Sequence, residues 1–473
     1  MEIKKEPMID RIAYWLLCAI VFDCAAFGGG AIIEIMGIDF RMVLFGLFFV
    51  ASLPALFRNL KRIMCNGYFA VLLLWGIWLI VSTVRGILAG NRLDTILSAW
   101  VGFASFGILP GTLAVLTNKE RVLRLMKAVC VASALLMLQS LIALIIYNID
   151  LDAFIKLNLL MIDKEIGGCT GVNDSLVRIF MRSHPYMVFG CVCSVYFAVT
   201  EEKKSVRLLH CLNMACCLFS LIVSYTRSIY LCVIVSAAVI LTMLTIILGK
   251  GNSKRIFKVV STVAGMFLAV LLVCDIIFGA LFLSYGVNRT VGFDLMGRLE
   301  NILGIEHVDR QPGSSDETPT DEDERSDYED ENALNIWSDS IRAQTVTELQ
   351  EGIKGKLLVG SGMGAALGSR ADGYNEYFFL DMLYKTGIIG LVLYIAPILM
   401  MLYVVLKDLK IMEKESAMIC AVWMAGLLGI VAFSYFNPYL NGSNGITVYC
   451  CTIGVFSAIN NKQQIKKKRE LIS

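Results

Sequence analysis

The sequence predicts an all-α integral membrane protein, with about twelve transmembrane helices and one large extracytoplasmic loop containing a short amphipathic helix. Three observations lead there. The chain is 57% hydrophobic with a mean hydropathy of +0.69, beyond the apolar content of a soluble domain. Apolar runs of bilayer-spanning length, roughly 17–25 residues each, recur along nearly the whole chain. Lysine and arginine collect in alternate joints between those runs.

Taken in order, the runs are 12–33, 40–57, 68–84, 95–117, 122–147, 180–200, 206–224, 228–248, 256–284, 376–406, 416–436 and 446–460. The first is expected to be retained, because no small-residue cleavage site follows it and its removal would spoil the alternation of charge. The first nine make an N-terminal bundle within 1–284, a loop follows at 285–375, and 376–473 holds the last helices and a basic tail. The joints "FRNLKR", "NKERVLRLMK", "EEKKSVR", "GKGNSKR" and "KDLKIMEK", with the N-terminal "MEIKKEP" and the tail "KKKRE", hold more than half of the chain's 42 Lys and Arg residues. The opposite joints are nearly bare, with Arg41, Arg85, Arg92 and Arg227 standing almost alone. The positive-inside rule then places both termini in the cytoplasm, and Arg227 with its neighbours outside.

This topology leaves Cys169 as the one cysteine of the fifteen in an outer segment, so an outer disulfide framework is excluded; no CxxC-type metal pattern is present either. The remaining cysteines read as small buried apolar residues. Two outer segments are long enough to carry chemistry, 148–180 and 285–374. Within the second, "DRQPGSSDETPTDEDERSDYEDEN" at 309–332 is acidic and almost free of apolar residues, the composition of a disordered insertion. After it, Ile336, Ile341, Val346, Leu349 and Ile353 recur at helical spacing, with Ser338 or Asp339 able to cap. This is the amphipathic helix. The glycines of "LLVGSGMGAALGSR" then permit a tight turn and close approach to a ligand.

Those segments carry a resemblance. A "TRS" at a helix start (Thr226–Ser228), a large outer loop, an arginine ahead of "GSGMGA", and "YNEYFFLDMLYKTGIIGLVLY" leading into the final helices occur in that order. The chain resembles the O-antigen polymerase and O-antigen ligase superfamily of bacterial surface polysaccharide assembly. The resemblance implies a glycan donor on a polyprenyl diphosphate, presented at the outer leaflet of a bacterial cytoplasmic membrane. It also implies transfer to a sugar hydroxyl with neither metal nor cofactor, beside membrane lipids and the flippase and chain-length regulator of the same pathway, and without nucleic acid.

A diphosphate leaving group explains the outer arginines. The planar guanidinium fork matches phosphate oxygens and stabilises the charge that develops on them. By resemblance Arg227 is the "TRS" arginine, Arg178 and Arg182 in "LVRIFMRSHPY" precede the next helix, and Arg342 is the loop arginine. Tyr225, Tyr374, Asn375 and Arg298 are further substrate contacts. Ligases of the superfamily have a histidine where this chain has Tyr374, which favours a polymerase over a ligase. The general base is then sought in His184, the best-placed of three histidines, or in Glu376. Two other readings of the residues are a ligase using a different acceptor and a lipid-linked oligosaccharide flippase, though the halves show no internal repeat.

The orientation is directly testable. Reporters fused after Lys204 or Lys410 are expected on the cytoplasmic side and one within 316–330 outside. A cytoplasmic signal from the acidic segment reverses the topology.

Overall fold

A computed structural model describes residues 7–30, 34–35, 38–173, 176–224, 226–249, 254, 256–270, 331–368, 370, 373, 375–409 and 411–470. The acidic insertion, apart from Glu331 and Asn332, lies outside these, as do Tyr225, Arg298 and Tyr374. The protein is mostly helical and multi-pass. All twelve apolar runs enter helices. In chain order these are α1 Met8–Phe27, α2 Phe40–Arg58, a short α3 Leu60–Met64, α4 Gly67–Leu88, and α5 Leu93–Ala104, which continues through a 3-10 turn into α6 Leu109–Val115. Then come α7 Lys119–Ile149, α8 Leu151–Asp163, α9 His184–Thr200, α10 Lys204–Val223, α11 Arg227–Leu248 and α12 Ile256–Val270. After the undescribed stretch follow α13 Glu331–Ile353, α14 Phe378–Asp408, α15 Lys414–Phe433 and α16 Ser443–Glu470.

Eight helices among the described residues are long and apolar enough to cross a bilayer; α5, its 3-10 turn and α6 count as one. The other four apolar runs are not among them. Helix α9 starts at His184 because the four residues before it belong to a strand or a turn, the apolar part of α16 is also below the usual length, and of the run at 256–284 only Ile256–Val270 is described. Helix α1 has the length but carries Asp10, Arg11 and Asp23. Helix α2 answers two of those charges: Asp10 pairs with Arg58 at one end of the pair of helices and Asp23 with Arg41 at the other.

The expectation of helices alone needs an addition. The 148–180 segment contains, besides α8, a hairpin of β3 Gly167–Asn173 and β4 Leu176–Met181, and a two-residue pair of β1 Glu34–Ile35 with β2 Ile38–Asp39 links α1 to α2. The amphipathic helix of the loop is also longer than its apolar spacing implies. It is already helical at Glu331, so Ser338 and Asp339 fall inside it rather than capping it.

The core forms around α15. That helix is 83% buried over its apolar window, the largest share of the eight spans, and its Trp423 is fully enclosed. Small residues let its neighbours close in. Gly426 lies against the Phe189 ring of α9, and Gly429 lies against Cys232 and Ser236 of α11, whose hydroxyl donates to Ala425 O at 3.1 Å. Where lipid tails are as apolar as leucine, such backbone approach is what holds helices together. Helices from both sides of the 285–375 loop share this core.

The alternating helices give the bundle two ends of different character. At one, Lys119 of α7 pairs with Glu413 and Glu415 ahead of and within α15, Tyr196 of α9 donates to Glu415 at 3.1 Å, and Arg62 meets Leu113 O. The described parts of the basic joints at 57–62, 118–127, 201–207 and 407–414 are there. At the other end, the starts of α2, α9, α11, α14 and α16 meet the ends of α1, α10 and α15. The lone arginines are there.

Arg41 is buried, 4% exposed, and reaches Asp23 at 2.6 Å, Asn444 Oδ1 at 2.6 Å and Ser443 Oγ at 3.1 Å. Asn444 in turn donates to Gly28 O at 3.0 Å and accepts, through its carbonyl, the Tyr186 hydroxyl at 2.9 Å. This network ties α1, α2, α9 and α16 together. Arg41→Ala strands the Asp23 carboxylate, so a loss of about 3–5 kcal/mol is expected. The double variant Asp23→Ala/Arg41→Ala should recover part of it, read by thermal unfolding in detergent. Equal stability of wild type and Arg41→Ala would show that the pair does not organise this end.

Candidate functional site

Strand β4 runs directly into α9, and its Arg178, paired across the hairpin with Thr170, points toward the α10–α11 joint. Its Nε donates to Ser224 O and a terminal nitrogen to Thr226 Oγ1, both at 3.2 Å, while the guanidinium rests 5.6 Å from the Phe180 ring centre. Thr226 is also the N-cap residue of α11, and Arg227 is that helix's first residue, exposed at the end of the bundle. Two arginines called from sequence therefore stand at one corner, one bonded to Thr226 and the other next to it in the chain. Asn437, in the α15–α16 joint, donates to Ser228 Oγ at 2.7 Å and extends the corner toward Phe436, whose ring lies 6.4 Å from that of Tyr377.

Tyr377 is the N-cap residue of α14 and follows Glu376, the centre of the second group. Arg342 of α13 places Nε 3.0 Å from Glu376 Oε2, and Arg370 places a terminal nitrogen 3.2 Å from Oε1. Neighbouring Asn375 is buried and donates to Asp381, while Lys385 Nζ lies 2.9 Å from that carboxylate and 2.7 Å from Gly373 O. Arg342, Glu376 and Asn375 are thus brought together, with Arg370 as a member that the sequence reading left out.

Arg182 goes elsewhere. It pairs at 2.7 Å with Glu165, both half-exposed, and its Cβ lies against Gly28 at the end of α1. His184 is also displaced from its expected role. It is fully buried, and Met181 N donates to its Nδ1 at 3.2 Å. A neutral imidazole that accepts at Nδ1 carries its proton on Nε2, so in this arrangement neither nitrogen is available to take a proton. Of the two bases called, Glu376 alone is near the surface. Cys169, in β3, is buried as well, and burial pushes its thiol up to about 12, which leaves it unreactive.

The glycine-rich turn does make close approaches, but to backbone. At Gly387 (φ 69°) α14 is broken, and the interrupted ladder is filled by the turn: Ser361 N donates to Tyr384 O at 2.7 Å, Gly362 N to Lys385 O at 2.9 Å, and Ile388 N to Leu357 O at 2.8 Å. From the other side Arg85 binds Val359 O and Gly360 O, Asn91 binds Met363 O at 2.9 Å, and Thr95 binds Gly364 O at 2.9 Å. The turn is clamped between α4, α5 and α14, and its N–H groups at 361–363 are spent on the protein. On α13, Leu349 and Gly352 close over it against Ala365, Leu367 and Tyr384.

Arg41 and Arg85, which the sequence reading passed over as site residues, gave the same signal as Arg227: an arginine almost alone in an otherwise bare joint. Both fasten this end of the bundle. Among the described residues no group of three or more His, Cys, Asp or Glu side chains is placed to hold a metal ion. No known protein-family model matches this chain, and neither does any curated protein.

The break at Gly387 sets the position of the whole second group. A Cβ there would stand 2.4 Å from Leu358 O, at a φ that L side chains avoid. Gly387→Ala is expected to lower stability by about 1–3 kcal/mol and to open the turn to protease in detergent. Protection equal to the wild type would show that the turn is held without the break.

Proposed function

We propose that this protein is a polysaccharide polymerase of the O-antigen polymerase and ligase type. It works with its arginine-bearing end at the outer face of a bacterial cytoplasmic membrane and with both termini in the cytoplasm. The observation that carries the reading is the grouping of arginines at one end of an apolar bundle, Arg178 on the N-cap residue of the helix that Arg227 begins and Arg342 with Arg370 on a single carboxylate. Permanent cations with forked donors suit a diphosphate held at a membrane surface.

In the reaction, the acceptor sugar hydroxyl oxygen attacks C1 of the donor glycan. The bond from C1 to the polyprenyl diphosphate oxygen breaks, and its electron pair leaves with the diphosphate, where the arginines stabilise the new charge. The hydroxyl proton passes to a base, for which Glu376 is better placed than His184. The second lipid-linked repeat unit is the acceptor; a ligase would differ only there. The flippase reading gains some support from a broken helix, since transporters bind cargo at such breaks. Here the freed carbonyls of Tyr384 and Lys385 take the turn's N–H groups instead.

Reconstitution with a lipid-diphosphate oligosaccharide separates the readings: ladders for a polymerase, one transfer for a ligase, no product for a flippase. In that assay Arg227→Ala is expected to lose roughly 10²–10³ in rate, as for removal of one preorganised donor. Arg227→Lys should stay clearly impaired, because the charge remains but the fork is gone. Full activity of Arg227→Ala would leave that arginine a lipid-facing anchor.

A further inference from the structure

Two arginines from separate elements, one on α13 and one in the turn before α14, each take a different oxygen of the Glu376 carboxylate, at 3.0 and 3.2 Å. The trio carries a net positive charge, since two guanidinium groups face one carboxylate. It is reachable, with Arg342, Arg370 and Glu376 side chains 47%, 27% and 29% exposed. A structural ion pair of two partners needs no third member; a pair of forks spread across two oxygens is the arrangement that binds a phosphate or diphosphate bidentately.

The backbone around Glu376 is fixed while its side chain is not enclosed. Asn375 is anchored on Asp381, and α14 begins two residues after Glu376. The Asp381 charge is already answered by Lys385 at 2.9 Å, so it does not compete for the two arginines. The Glu376 side chain can therefore swing away without disturbing the segment that carries it. Arg342 and Arg370, by contrast, come from separate elements, both before Glu376 in the chain, and stay converged on whatever anion replaces it.

We infer that Glu376 is an internal stand-in for the anionic ligand: it fills the Arg342–Arg370 site in the empty protein, and the diphosphate of the donor displaces it. The inference rests on the diphosphate reading above and adds an order to it. While Glu376 is held by two guanidinium groups, both of its oxygens are occupied and it cannot serve an acceptor. Arrival of the donor frees the carboxylate, so the base becomes available only when a leaving group is in place. Arg370, absent from the sequence-based set, becomes a diphosphate ligand.

The test uses the full-length protein in detergent and inorganic pyrophosphate as the probe, with affinity measured by calorimetry. A carboxylate that occupies the site about nine-tenths of the time weakens apparent affinity about tenfold. Glu376→Gln, which keeps the shape and loses the charge, should therefore bind pyrophosphate about tenfold more tightly than the wild type. Glu376→Asp, which keeps the charge, should bind much as the wild type does. Adding Arg370→Ala or Arg342→Ala to Glu376→Gln should abolish the gain. Equal affinity of wild type and Glu376→Gln, a gain as large in Glu376→Asp, or a gain that survives Arg370→Ala would each overturn displacement, as would a failure of Glu376→Gln to bind at all. Displacement and polymerase function fail separately. Glycan ladders from a protein whose Glu376→Gln variant gains no affinity leave the function and remove the displacement. A tenfold gain in a protein that transfers no glycan does the reverse.

Discussion

The seam between the glycine-rich turn and the broken start of α14 is the constraint on which the arginine-bearing end depends. A helix that stops and restarts at Gly387 leaves carbonyls without helical partners, and close to a bilayer there is little water to take them. The turn at 357–364 supplies the missing N–H groups, and Arg85, Asn91 and Thr95 hold its carbonyls from the other side. Once both faces of the turn are spent in this way, α13 has a fixed floor to pack on, and Arg342 is carried to Glu376. Without the seam neither arginine of that group would have a defined place.

The same end shows two ways of keeping an arginine in an apolar protein. Arg41 is buried and answered in full by a carboxylate, an amide and a hydroxyl, and is best understood as a fastening. Arg227 begins a helix at the exposed end of the bundle, where a charge costs little. Arg178, Arg342 and Arg370 lie between these extremes, partly exposed and held by contacts that an incoming anion can replace. Burial and saturation of donors, rather than position in the sequence, separate the fastening arginines from the partly exposed ones.

Much of the architecture was legible because bilayer physics writes it plainly. Each apolar run enters a helix, and the described basic joints gather at one end. What escaped was set by tertiary contact. The β3–β4 hairpin replaces the first residues expected of the sixth span because Val177–Met181 pair across the sheet, a partnership that hydropathy does not encode. The helical stretch of α13 before Ser338 was hidden by the acidic composition around it. His184 looked exposed beside Arg182 and Pro185, yet the turn out of β4 tucks it beneath Met181 N. Of the candidate site, residue types were legible and groupings were not: Arg370 resembled any loop arginine until a fold placed it opposite Arg342.

The burial of α15 also bears on how the chain comes to be assembled. Its apolar window is 83% enclosed, chiefly by helices made long before it, and it begins 166 residues after α11 ends. At ordinary rates of synthesis that gap is roughly 10–30 s. During that interval the faces of α9 and α11 that will receive Gly426 and Gly429 border lipid or a chaperone, with Ser236 lacking its eventual acceptor. The earlier helices thus wait as an open ring, and the bundle is completed by a late arrival that wedges into its centre. A ribosome that stalls within the outer loop would leave a membrane-inserted protein with every N-terminal span in place and the centre of its core missing.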